Sequence, residues 1–141
     1  MTEDDKERLA VSHKRAAILT AECNIIQQLL EKPINDDPNA LTERGTLIST
    51  QIARTGKMLA EAKCLYNVVR EIQLVERLGE FMDSRLSAKI QNAILDGLAY
   101  KEKYLVDYLD RLNSSCVHQL DFIRTLLSKA KAEMQYLNFQ K

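Results

Sequence analysis

The sequence has no tryptophan, two prolines, four glycines, three cysteines and two histidines in 141 residues. So little Gly and Pro, with 45% apolar residues, excludes a turn-rich β fold and long disorder. Acidic and basic side chains balance at 20 each, so no field of one sign points to nucleic acid or anionic membrane as a main partner. Cys23, Cys64 and Cys116 are odd in number and far apart, which argues for reduced thiols in a cytoplasm rather than a disulfide framework. No apolar run approaches the roughly 20 residues that span a bilayer. The acidic start, Met1-Thr2-Glu3-Asp4-Asp5, lacks the basic-then-apolar pattern of a secretory signal. The expectation is one cytoplasmic domain over residues 1–141, with no membrane contact.

What is present is helical periodicity. From about Asp5 to Lys32, Leu9, Val11, Ile18, Ala21, Ile25 and Leu29 carry the apolar signal, and 18, 21, 25, 29 have helical spacing. Pro33 stops this segment, and 33–37 is the one strong loop signal. Asp37 before Pro38 reads as an N-cap with proline at the first helical position. So short a connection sends the next helix back antiparallel.

A second stripe runs over about 38–82 through Leu41, Ile48, Ile52, Leu59, Ala62, Tyr66, Val69 and Ile72. Gly45, Gly56 and Gly79 interrupt it, each costing about 1 kcal/mol against alanine. Close helix approach would explain Gly56, and a C-cap would explain Gly79. Asp83-Ser84 then caps a third stripe over 84–138, from Leu86, Ile90, Ile94 and Leu98 to Leu105, Leu109, Leu112, Cys116, Ile123, Leu127, Ala130, Met134 and Leu137. The polar cluster Asn113-Ser114-Ser115 offers a break, but the stripe keeps phase across it. The expected architecture is therefore all-α: an elongated antiparallel bundle of three long helices, or four if the chain breaks near Asn113. At about 1.5 Å per residue the first helix reaches about 42 Å and the third about 80 Å. One chain cannot cover so long a stripe, which predicts a homo-oligomer, most simply a two-fold dimer.

Chemistry-bearing patterns are sparse. No HExxH, CxxC, Walker or EF-hand motif occurs. Cys116 and His118 lie about 200° apart on a helix and cannot share a metal unaided. No Glu stands three residues before either histidine, as a di-metal bundle would need. Asp107, Asp110 and Asp121, and Glu71 and Glu76, sit among basic neighbours and read as solvated charge pairs. No acid–base pair is identifiable, and neither enzyme activity nor a cofactor is expected. Tyr100, Tyr104 and Tyr108 form an i, i+4 ladder suited to a core or subunit interface, or, with a basic channel, to stacked bases. Leu120, Ile123 and Leu127 mark an amphipathic run that closes the bundle or binds a partner helix.

Two stretches carry a resemblance. Gly56-Lys57-Met58-Leu59-Ala60-Glu61-Ala62-Lys63 resembles a G-x-M-L-A-x-A-K pattern in small helical proteins of phages and integrated mobile elements. Cys116 to Lys129 resembles a late segment of the same group. The resemblance implies an origin beside recombination or replication genes, carries over no catalytic residue, and singles out Gly56, His118, Gln119, Asp121 and Arg124. The leading expectation is a non-catalytic helical assembly or adaptor protein with a protein partner. The alternative is an accessory nucleic-acid binder in phage-like recombination or replication.

Overall fold

The computed structural model describes residues Met1–Lys141 as five helices and no strand: α1 (Glu3–Glu31), α2 (Pro38–Glu76), α3 (Leu78–Asp83), α4 (Ala88–Leu98) and α5 (Tyr100–Phe139). The fold is all-α. Local chemistry sets the helix starts. Thr2 Oγ1 accepts the Asp5 N–H at 3.0 Å, and Glu3, Asp4 and Asp5 complement the dipole of the first turn. Asp37 Oδ2 accepts the Asn39 and Ala40 N–H groups, each at 3.1 Å, with Pro38 at the first helical position.

Three long helices build the core. Arg15 meets Glu61 and Glu22 meets Arg54, so α2 returns antiparallel to α1. A Cβ on Gly45 would meet Ile123, and one on Gly56 would meet Asn113, so α5 runs antiparallel to α2. It is therefore parallel to α1, with Tyr108 bonded to Asn24 and Gln119 to Leu30. Leu19, Cys23 and Ile26 pack with Leu41, Ile48, Met58, Leu105, Leu109 and Ile123. Only 21 of 141 residues are buried, so each helix is covered on one side.

Gly45 is the tightest glycine. An added Cβ would stand 3.4 Å from Ile123 Cγ2, whereas at Gly56 the nearest atom is at an ordinary 3.9 Å. Close approach therefore belongs to Gly45. Gly79 lies inside α3, so it is not a C-cap.

The second stripe ends earlier than expected. The chain turns at Arg77, and α3 and α4 follow as short helices; Ser87, not Asp83-Ser84, caps α4 by accepting the Ile90 N–H at 3.3 Å. The third stripe divides at Ala99, and α5 passes unbroken through Asn113. Ala99 leaves helical geometry (φ −107°, ψ 28°), with the weak helix former Gly97 two residues before it. The bend lays α4 on α2, where Tyr66 Oη donates to Asp96 Oδ1 at 2.5 Å and Arg70 Nη2 to Asn92 Oδ1 at 3.0 Å. Asn113 has a use that keeps it helical. Its Nδ2 donates to Ile52 O at 3.1 Å and to the fully buried Thr55 Oγ1 at 2.9 Å.

Candidate functional site

The apolar stripe expected to bury α1 faces outward. Inside are Ser12, Ala16, Leu19, Cys23 and Ile26, while Val11, Ile18 and Ile25 stay 61%, 48% and 68% exposed. Three small side chains on the inner face, Ser12, Ala16 and Cys23, let α1 settle closely on α2 and α5, and Val11, Ile18 and Ile25 are left outside. Among the exposed positions from Ala10 to Gln28, Lys14 carries the only charge. A solvated helix face normally mixes charges of both signs, so this one is unusually apolar.

The α1–α2 seam is fixed by ions. Arg15 Nε lies 2.5 Å from Glu61 Oε1 and Arg54 Nε 2.6 Å from Glu22 Oε1. Hydrogen bonds from the facing arginines hold the Glu22 and Glu61 carboxyls below their ordinary range. At the far end Arg44 closes α1, whose last turn has no basic residue. Its Nη2 donates to Leu29 O at 3.0 Å and Lys32 O at 2.9 Å, and both Nε and Nη2 reach Gln119 Oε1. Gln119 thus has a structural task. Nothing in the local sequence marks Arg44, because the carbonyls it caps belong to another helix.

The tyrosine ladder divides: Tyr108 packs half-buried against the core, and Tyr100 and Tyr104 lie outside it. Tyr100 and Tyr104 are 63% and 58% exposed. Tyr104 packs edge-on against Tyr108 with ring centroids 5.8 Å apart, and Tyr108 Oη donates to Asn24 Oδ1 at 3.1 Å. Burial pushes the Tyr108 phenol up. Tyr100 and Tyr104 wall a groove of about 600 Å³ between α1 and α5, floored by Ala17 and Ala21, with His13 and Lys101 beside them.

Beside this groove the fold assembles a pair that no local motif announced. Glu102 is completely buried; its Oε1 lies 2.5 Å from His13 Nδ1, a hydrogen bond across 89 residues of sequence. Its Oε2 is buried without a partner. One signal was available: position 102 falls at helical spacing between Leu98 and Leu105 on the third apolar stripe of the sequence, where an acid takes an apolar place. No group of three or more His, Cys, Asp or Glu gathers around it or elsewhere.

Of the remaining candidates, Ile123 is fully buried within the chain, and Leu120 and Leu127 pack half-buried against the core. Ile123 is therefore not a free partner surface, because α2 already fills the space against it at Gly45. Cys116 is buried and His118 exposed, on different sides of α5. Asp121 and Arg124 form an exposed pair at 3.4 Å. Burial pushes the Cys23 thiol up to about 11, with Glu22 adding to the effect, and Cys64 is exposed. Beyond the core, residues 131–141 are all exposed, an arm whose Met134, Leu137 and Phe139 touch nothing that covers them. No helix is long and apolar enough to cross a membrane. Neither a protein-family model, nor a curated protein, nor a solved structure matches this chain.

Proposed function

We propose that this protein is a non-catalytic helical assembly protein that pairs with a second copy of itself through the outer face of α1. The observation that carries the reading is the exposure of Val11, Ile18 and Ile25 on a face where Lys14 is the one charge not tied to α2, Arg15 and Glu22 at its edge being paired to Glu61 and Arg54. These three residues repeat every seven positions, the spacing of a helix–helix seam. A parallel pairing would set the two Lys14 ammonium groups side by side. An antiparallel pairing centred on Ile18 moves them eight residues, about 12 Å, apart along the axis, beyond the screening length of about 8 Å at physiological salt. The antiparallel form is favoured.

The magnitudes set the strength. Six Val and Ile side chains, each already part-covered, contribute on the order of 5–10 kcal/mol on pairing, against an association cost of about 4–15 kcal/mol. The dimer should therefore be concentration-dependent. Charge distribution supports protein contact over nucleic acid, since Arg15, Arg54, Arg70 and Arg124 each lie within 3.4 Å of an acidic oxygen. Light scattering with small-angle X-ray scattering tests the reading. The native chain should shift from monomer to dimer with concentration, and Ile18→Glu should remain a monomer of unchanged helicity. A native chain that stays monomeric at its highest soluble concentration would overturn it.

A further inference from the structure

We propose that the groove between α1 and α5 is a binding site for a small flat aromatic molecule carrying one N–H or O–H donor, which His13 Nε2 accepts. The argument starts from Glu102. A carboxylate with no exposed surface, bonded through one oxygen and unpartnered at the other, is costly in a helical core where leucine would pack without penalty. It does one specific thing to its neighbour. When the imidazole is neutral and gives its Nδ1–H to the acid, the ring orientation and tautomer are fixed and the lone pair is on Nε2; in the imidazolium both nitrogens donate, so the acceptor role belongs to the neutral ring.

The His13 ring is 40% exposed and lines the groove. With Nδ1 tied to the buried acid, the edge left to the groove is the Nε2 edge. The rest of the site is shaped for a thin apolar body. Ala17 and Ala21 present only methyl groups as a floor, and Tyr100 and Tyr104 stand four residues apart as walls. Aromatic faces favour stacked or edge-on rings over polar chains. This half-open space of about 600 Å³ has mainly apolar walls, with Thr20, Asn24 and Lys101 also at its lining, and is of the size of small-molecule pockets. Around the α1 axis, at 100° per residue, His13, Ala17 and Ala21 lie about 140°, 100° and 60° from Ile18, so the His13 end of the groove is separate from the pairing face and Ala21 borders it.

Two isosteric probes test it on the full-length native chain. Indole and benzofuran are titrated at about pH 8.5, above the ordinary histidine range, while the His13, Tyr100 and Tyr104 ring signals are followed by nuclear magnetic resonance. Indole should shift those signals saturably, and benzofuran, which lacks the donor at equal size, should bind about threefold to tenfold more weakly, the value of one neutral hydrogen bond. His13→Ala should erase that difference, and the exposed Tyr104→Ala should weaken both probes. Equal affinities for the two probes on the native chain, or no saturable shift at these rings, overturns the site. A difference that survives in folded His13→Ala overturns the role of His13. The native-chain comparison stands even if that variant fails to fold.

Discussion

The two faces of α1 carry similar amounts of apolar side chain and meet opposite fates. The inner face offers Ala16, Leu19, Cys23 and Ile26; the outer offers Val11, Ile18 and Ile25. By bulk and regularity the outer face is the better core seam, yet the inner one is buried. The difference teaches that packing geometry, not hydrophobicity alone, selects the buried face. A third helix resting on two others gains more from small side chains that allow close contact than from large ones that hold it away.

The sharpest way to break this comparison is to truncate one residue on each face. Leu19 is completely buried, so Leu19→Ala should cost about 2–5 kcal/mol of stability. Ile18→Ala, at a half-exposed position, should leave monomer stability within about 0.5 kcal/mol while weakening self-association. Urea unfolding at low protein concentration separates the two effects. Equal losses would mean that α1 packs by its outer face.

Periodicity made the helix class, the 33–37 loop and the Asp37 cap legible, because each depends on neighbours in sequence. It also located Leu105, Leu109, Leu112 and Cys116 on the buried stripe of α5. What it missed depends on distant partners. Asn113 is a weak helix former by composition, but Thr55 and the Ile52 carbonyl from α2 reward it for staying helical. Ala99 has no breaker of its own; the joint forms because α4 gains Tyr66 and Arg70 contacts on α2. The His13–Glu102 pair spans 89 residues, and only the misplaced acid on an apolar stripe hinted at it.

A smaller effect sharpens the comparison at the α1–α2 seam. Because their carboxyl groups are held below the ordinary value, Glu22 and Glu61 contribute stability that is fully present above the ordinary value of about 4.5. That contribution is lost as pH falls through the lowered values. Both pairs are about one-third exposed, so salt should compete with them. At about 1 M ionic strength the screening length shrinks to about 3 Å. Double replacement by Glu22→Gln and Glu61→Gln should flatten the acid limb of a thermal-stability profile at low salt and change little at high salt. An acid limb identical to that of the native chain would assign acid sensitivity elsewhere.

The smallest expected change comes from the arm. Residues 131–139 continue α5 for about 14 Å past its packed part, and every one of them is exposed. Met134 and Leu137 keep the spacing of the buried stripe, so their exposure reflects the reach of α1 and α2 rather than any change in pattern. Ending the chain after Ala130 removes no core residue and should shift stability by no more than about 0.5 kcal/mol. If the outer face of α1 is the pairing surface, light scattering should show the shortened chain dimerising as the native one does. Loss of the dimer on shortening, with Ile18→Glu still dimeric at full length, would instead transfer the interface from α1 to the free end of α5.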